Sequence, residues 1–417
     1  MKAKLLHHLG APCVAQIRPP DDRPTTGSRM LYRNPEALVR HEPGGAVITP
    51  PNLYAAFIHV DESLADALRE QGVAENQLDN ETLALLTENA VLLEKPSATM
   101  PRQDMVVDCP GLPPQTLLDV TSACNCACEA CYHIEDLHGY QPPLEDVLRR
   151  IDKLAELGTC LFEVTGGEPT LRPDLPEILD HIYAHGLHYY VVTNGSRLNV
   201  ASPRLLETLQ LGLGLAVSLD GVGATHDRIR RLPGLYDNLM AGLEELRGTG
   251  IKTYFIATVH ANNLDQIDAL IEVAKSFDTT VHLRPAIRTG NAARNALPTA
   301  NRAALMARLG HQHVRNGLLA TKKTIPRALN YGCGIRKRIS VSATGILHPC
   351  VMDRTRALAD IESYDRRSLV AALEEEAKRF LSANSKCTAC ERNPSTACAT
   401  CGGFCRFSCA YEQGTLL

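Results

Sequence analysis

The chain has no apolar run near the roughly eighteen residues that a membrane-spanning helix requires. It has no excess of positive charge either. Lys and Arg number 43 against 47 Asp and Glu, a net charge of −4, so no basic field argues for nucleic acid. The opening MKAKLLHHLGAP lacks an unbroken apolar core for a signal peptide, because His7, His8, Gly10 and Pro12 interrupt it. These absences predict a cytoplasmic protein that engages neither membrane nor nucleic acid. Cysteine, by contrast, is abundant, with fifteen residues. In a long chain with no export signal, that number points to metal binding rather than to disulfides.

The chain has 417 residues, 44% hydrophobic and 22% charged, enough for two or three domains with a sizeable core. Two cysteines precede a cluster of four at 124, 126, 128 and 131, and eight fall between 333 and 409. Cys13, Cys109 and Cys160 read as buried or incidental thiols. The cluster lies in TSACNCACEACYH, residues 121–133, on a loop leaving an apolar strand at 116–120. Cys124, Cys128 and Cys131 have the spacing C-x3-C-x2-C. Thiolates favour iron–sulfur clusters, zinc and Cu(I). Three thiolates hold a four-iron cluster by three corners and leave one iron open, which suits catalysis, whereas a closed four-thiolate set suits electron transfer. A zinc knuckle is the alternative, but zinc sites usually draw a second pair from downstream, and only Cys160 follows for two hundred residues.

Residues 1–26 read as a poorly ordered lead-in rich in proline. Residues 27–95 read as a small α+β unit, with strands at 30–32, 38–41 and 46–48 and helices at 62–70 and 81–89. This unit has no grouping of catalytic residue types, so binding is its expected role, with a structural cap as the alternative. Five prolines mark 96–114 as a linker. From 115 a regular alternation begins. Strands are expected near 161–165, 189–192, 213–218, 253–259 and 280–285, with helices near 143–157, 173–184, 203–210, 236–248 and 264–275. Six β/α units predict a partial TIM-like barrel over 115–315. Polar and glycine-rich strings follow four strand ends, at 124–131, 166–168, 193–195 and 218–220, and that edge is where sites assemble in parallel α/β folds. Residues 300–330 read as helical. Residues 316–417 form a cysteine-rich C-terminal domain, opening with a hairpin over 338–350, followed by a helix at 367–381. Six cysteines crowd the tail, and a segment with so little apolar core needs metal to hold it.

Cys124, Cys128 and Cys131 followed by Tyr132, with Gly166-Gly167-Glu168-Pro169 at the next strand end, resemble the radical S-adenosylmethionine (SAM) superfamily. The resemblance covers 115 to about 290. It implies that the three cysteines bind a [4Fe-4S] cluster whose open iron takes the amine and carboxylate of SAM. It implies that Gly166 and Gly167 allow close backbone approach and that Glu168 pairs with the SAM ammonium. Thr193, Asn194 and Ser218 resemble ribose and carboxylate contacts, with Asp220 and Arg228 or Arg230 in the same shell. As rival readings, Asn-Gly and Asp-Gly are turn dipeptides in their own right. Cys126 departs from the family pattern and reads as a small apolar filler, although a ligand set that includes it is the alternative. The implied chemistry is reductive cleavage of SAM to a 5′-deoxyadenosyl radical, which removes a hydrogen from an unactivated carbon. An electron donor such as flavodoxin or ferredoxin is implied. The catalytic base is not identified by sequence; His260, Arg284 and Asp353 are candidates or plain rim residues.

The C-terminal part resembles the SPASM extension of peptide-modifying members. Cys333-x11-Gly345-x4-Cys350 fits its opening, and Cys387-x2-Cys390 and Cys401-x3-Cys405 fit its later part. The gap from Cys390 to Cys401 is long and contains Cys398, and Cys409 follows closely. The resemblance implies two auxiliary four-iron clusters, one with Cys333, Cys350 and Cys405, the other with Cys387, Cys390, Cys401 and Cys409. Zinc at Cys387, Cys390, Cys398 and Cys401 is the rival. The 27–95 unit loosely resembles the winged-helix-like recognition element that binds a leader peptide as an added strand. The expected function is modification of a ribosomally made precursor peptide by a C–S, C–C or C–O link. Small-molecule or tetrapyrrole maturation is the second enzymatic reading, and an iron–sulfur carrier the non-enzymatic one. Sulfatase maturation is disfavoured because Val351, not Asp, follows Cys350.

Overall fold

A computed structural model describes residues 14–15, 29–51, 57–70, 72–133, 139–286, 290–296, 338–351 and 354–382. The expected helix at 300–330 lies outside them, as do Cys13, Cys333, Asp353 and the tail cysteines Cys387, Cys390, Cys398, Cys401, Cys405 and Cys409.

The N-terminal strands are β1 (Val14–Ala15), β2 (Met30–Arg33), β3 (Leu38–Glu42), β4 (Gly45–Thr49), β5 (Ile58–Val60), β6 (Gly72–Ala74), β7 (Leu92–Leu93) and β8 (Met105–Val106). They build two sheets, ordered β1-β5-β4-β3-β8 and β6-β2-β7. Helices α1 (Glu62–Arg69) and α2 (Asn80–Glu88) are capped by Asp61 and Asp79, each accepting a backbone N–H three residues on. Leu64, Leu68 and Leu86 carry these helices into a core with Val39, Ile48 and Ile58. Two expectations change. Val14 and Ala15 pair with β5, so part of the lead-in belongs to a sheet. Met105 and Val106 pair with β3, so the proline-rich stretch supplies an edge strand. The pairing is two residues long, Arg40 with Met105 and His41 with Val106.

The barrel strands are β9 (Gln115–Asp119), β10 (Leu161–Thr165), β11 (His188–Thr193), β12 (Leu215–Ser218), β13 (Thr253–Val259) and β14 (Val281–Pro285). All six pair in parallel, each with its neighbour in sequence. Helices α3 (Leu144–Glu156), α4 (Leu175–Ala184), α5 (Pro203–Leu211), α6 (Ala224–Arg230), α7 (Leu235–Glu245) and α8 (Ile267–Ser276) lie between them, and α9 (Gly290–Arg294) follows β14. This is the expected mixed α/β fold with a parallel barrel-like sheet. Val147, Ile151 and Leu154 recur at helical spacing and bury α3 against the sheet. Strand residues alternate between two cores. Phe162, Val164, Val191, Val217 and Phe255 pack with the helices, whereas Leu161, Tyr190, Ala216, Tyr254 and Ile256 form a separate inner cluster.

Strands β15 (Arg338–Val341) and β16 (Leu347–His348) form the expected hairpin, but not in a separate unit. β15 pairs in parallel with β9 and extends the barrel sheet. Without it β9 would present an open edge, and Ile339 and Val341 are buried in the common core. Helix α10 (Arg366–Ser382) packs Leu369 and Leu373 into the same core. The N-terminal unit is pinned to the barrel by Arg40, 1% exposed, which donates to the carbonyls of Gly158 at 2.5 Å and Leu112 at 2.9 Å.

Candidate functional site

The cysteine loop leaves the C-terminal end of β9 and is gripped from several sides. The first grip comes from the loop after β10. Gly167 N–H donates to the Thr121 carbonyl at 2.8 Å, and Glu168 N–H to the Ala123 carbonyl at 2.8 Å. Only glycine fits this approach: a Cβ on Gly166 would stand 2.2 Å from the Thr121 oxygen, and one on Gly167 2.1 Å from the Ala123 oxygen. Gly166 also has φ of 140°. The two glycines thus press their backbone against the cysteine loop itself.

Glu168 is 1% exposed, and its carboxylate turns into the protein. Oε1 accepts from the Thr170 hydroxyl at 2.6 Å, the Thr170 N–H at 3.1 Å and the Thr193 hydroxyl at 2.7 Å; Oε2 accepts from the Asn194 N–H at 2.6 Å. Burial raises its carboxyl above the ordinary range, against these four donors. Glu168 therefore joins the loops after β10 and β11. Asn194 Nδ2 continues the chain of contacts, donating to Asn125 Oδ1 at 2.9 Å and to Cys126 Sγ at 3.2 Å. Thr193 and Asn194 thus reach the cysteine loop through Glu168 and Asn125.

Helix α6 supplies another grip. Its terminal carbonyls, Ile229 and Arg230, accept from Glu129 N–H at 2.9 Å and Ala127 N–H at 3.3 Å. Arg230 pairs with Asp220 at 2.7 Å and donates to Cys128 Sγ at 3.6 Å. Asp220, buried, accepts the Thr258 N–H at 2.7 Å. Arg228 takes a different partner, Glu129, at 3.3 Å. Ser218 ends β12, half-buried. On the far side, Asn291 of α9 donates its N–H to the Cys131 carbonyl at 2.7 Å and its side chain to the Cys128 carbonyl at 3.1 Å.

The four thiols are not equivalent. Hydrogen bonding from Cys126, helped by the Arg230 cation, draws Cys128 down to about 6. Cys126 likewise lowers Cys124. Burial pushes Cys131 up to about 11. Cys126, donating to two neighbours, is itself raised and held as a thiol. The loop thus offers two sulfurs whose thiols are lowered, a third, half-buried one whose thiol is raised, and Cys126 between the first two.

Beneath the loop lies a buried charged group that sequence reasoning did not single out. Asp119, at the end of β9, pairs with both terminal guanidinium nitrogens of Arg354 and with His133 Nε2 at 3.1 Å. Arg354 also sits over the Tyr132 ring, 5.3 Å from its centroid. A charged residue in the apolar string LLDV was the available signal for Asp119. Arg354 carried none, because its partner is 235 residues away. Inside the barrel, Glu163 accepts from Tyr190 at 2.6 Å and Gln115 at 3.2 Å, a polar group that sequence reasoning also missed. His260 is fully buried, with its imidazole lowered by burial; Arg284 lies on β14; Cys350 is half-buried just past β16.

The geometry meets an independent match over the same stretch: residues 118–274 fit the Radical SAM superfamily model. These residues are a radical SAM domain. Such a domain takes SAM and a [4Fe-4S] cluster. Curated relatives match about two-fifths of the chain. The AdoMet-dependent heme synthase of Methanosarcina barkeri is 31% identical over 169 residues, 39% of this chain and 48% of the relative. The PqqA peptide cyclase of Ruegeria pomeroyi is 33% identical over 161 residues, 38% and 43%. The mycofactocin maturase MftC of Mycolicibacterium smegmatis is 30% identical over 192 residues, 44% and 47%. The matches span about half the length of these curated relatives. In fold, the chain resembles Streptococcus suis SuiB, solved bound to precursor peptide SuiA, with a TM-score of 0.59 at 15% identity over 90% of this chain and 95% of that one. Among the described residues no helix is long and apolar enough to cross a membrane.

Proposed function

We propose that this chain is a radical SAM enzyme that modifies a ribosomally synthesised precursor peptide, forming a C–S, C–C or C–O link. The observation that carries the reading is a fold likeness to SuiB that extends beyond the radical SAM domain to nine-tenths of the chain. Relatives named as a peptide cyclase and a mycofactocin maturase support it.

The donor set fits the group it must hold. Cys124, Cys128 and Cys131 would ligate three irons of the cluster, and the lowered Cys124 and Cys128 thiols are primed to do so. Cys126 falls outside the C-x3-C-x2-C spacing of that set. When bound, the cluster and SAM supply the one-electron cleavage that yields a 5′-deoxyadenosyl radical. The chain's own residues position and shield. Gly166 and Gly167 seat the neighbouring loop on the cysteine loop, and Glu168, Thr193 and Asn194 lock the two loops that would face SAM. Ser218, Asp220 and Arg230 complete that edge, with Arg230 placing a cation beside Cys128.

The three-stranded sheet β6-β2-β7 is where a leader peptide would add as a further strand. Cys333, Cys350 and Cys405 would hold one auxiliary cluster, and Cys387, Cys390, Cys401 and Cys409 another. Flavodoxin or ferredoxin would supply electrons. So many free thiols fit a reducing cytoplasm. The test is anaerobic incubation of the reconstituted chain with SAM, reductant and candidate precursor peptides. A peptide that loses two hydrogens with formation of 5′-deoxyadenosine supports the proposal. A second reading, tetrapyrrole maturation, is favoured by the heme-synthase relative; turnover of an iron porphyrin with no peptide modified would decide for it.

A further inference from the structure

Away from the cysteine loop, on the outer wall of the barrel, α3 and α4 bring three ligand-type side chains to one point. We propose that Asp152, His181 and His185 form a divalent transition-metal site, zinc foremost. His181 and His185 lie four residues apart at the end of α4 and so share one helix face. Both direct Nε2 at the same oxygen of Asp152 on α3, at 2.6 and 2.8 Å. The three donor atoms all lie within 4.8 Å of one another, and among the described residues no other group of His, Cys, Asp or Glu does this.

Ordinary surface electrostatics accounts for part of this arrangement. A histidine in the last turn of a helix complements the helix dipole, and a carboxylate accepts readily from an imidazole. The second imidazole on the same oxygen strengthens that ion pair and also completes a set of metal ligands. Two imidazoles and a carboxylate suit zinc and its first-row neighbours rather than calcium or magnesium. Zinc bonds of about 2.0–2.1 Å in a tetrahedron set ligand atoms about 3.3 Å apart. The two imidazole–carboxylate spacings, 2.6 and 2.8 Å, are shorter by about 0.5–0.7 Å, a difference that small side-chain rotations supply in a partly exposed cluster. Side-chain exposures of 53%, 29% and 35% for Asp152, His181 and His185 leave the remaining coordination position to water. Ligation would tie α3, which follows the cysteine loop, to α4, which follows the Gly166–Gly167 loop.

The test uses the full chain with its iron–sulfur centres reconstituted, so that thiols are occupied before zinc is added. After zinc chloride treatment and desalting, wild-type protein should retain about one more zinc per chain than His185→Gln or Asp152→Asn, as expected for a single mononuclear site. Zinc should also protect His181 and His185 of the unmutated protein from diethyl pyrocarbonate, read by peptide mass. That second readout stands even if a variant fails to fold. Equal zinc retention in wild type and folded variants, or unprotected histidines in zinc-loaded wild type, would overturn the proposal.

Discussion

Replacing Asp119 by Asn tests the charged group beneath the cysteine loop. The side chains of Asp119 and Arg354 are both 0% exposed, and the guanidinium meets the carboxylate through two nitrogens. Burial alone would raise the Asp119 carboxyl, yet Arg354 and His133 hold it down to about 2. Relative to an unfolded value of about 3.9, that lowering contributes on the order of 2–3 kcal/mol at neutral pH. Removing one partner of a buried pair also strands the other charge, at about 3–5 kcal/mol. Asn keeps the size and one acceptor but loses the charge, so we expect a loss of about 3 kcal/mol at neutral pH. The sign follows from the lowered carboxyl. This contribution is present above the unfolded value of about 3.9 and disappears as pH falls through about 2, so wild type and variant should converge in acid. Urea unfolding of the apoprotein, followed by circular dichroism and by the twelve tyrosines in the absence of tryptophan, measures the difference. Arg354→Met in the Asp119→Asn background should restore part of the loss, because no buried charge is then left alone. A neutral-pH difference below about 0.5 kcal/mol, the range of ordinary surface changes, would refute the reasoning.

Gly167→Ala should unseat the loop after β10, since a Cβ would lie 2.1 Å from a backbone oxygen; iron retained after reconstitution should fall sharply, and unchanged iron content would count against the docking role. Glu168→Gln places an NH2 against donors that now meet a carboxylate oxygen, so SAM affinity by calorimetry should weaken, with a cost of about 1–3 kcal/mol for the unmatched buried group. Cys126→Ala should keep full iron content, while alkylation of Cys128 in the apoprotein should shift to higher pH as its hydrogen bond is lost. Loss of iron in that variant would place Cys126 among the ligands.

Much of this architecture was legible in the residues. Helical spacing in Val147, Ile151 and Leu154 located α3, and the polar strings at strand ends located the site edge. Local signals failed where pairing is distant or short. Nothing in Arg338–Val341 indicates that it lies beside β9, more than two hundred residues earlier, so the hairpin read as part of another unit. Helix α6 is seven residues between Gly223 and Pro233, too short for a periodicity, although its last carbonyls hold the cysteine loop. Gly166 and Gly167 lie against the cysteine-loop backbone, a contact between two separate loops that the string GG does not reveal. The Glu168 carboxylate accepts from Thr170, Thr193 and Asn194, partners that the motif alone does not reveal. Such contacts depend on the fold of three separate loops, which no local string encodes.

The central claim is that Cys124, Cys128 and Cys131 form the radical-generating set. Its most direct measurement is 5′-deoxyadenosine formation by the anaerobically reconstituted chain with SAM and a strong reductant. We predict product from wild type and none from the Cys124→Ala, Cys128→Ala, Cys131→Ala triple variant. Product persisting in the triple variant, or no product from wild type carrying its full iron complement, would contradict the account.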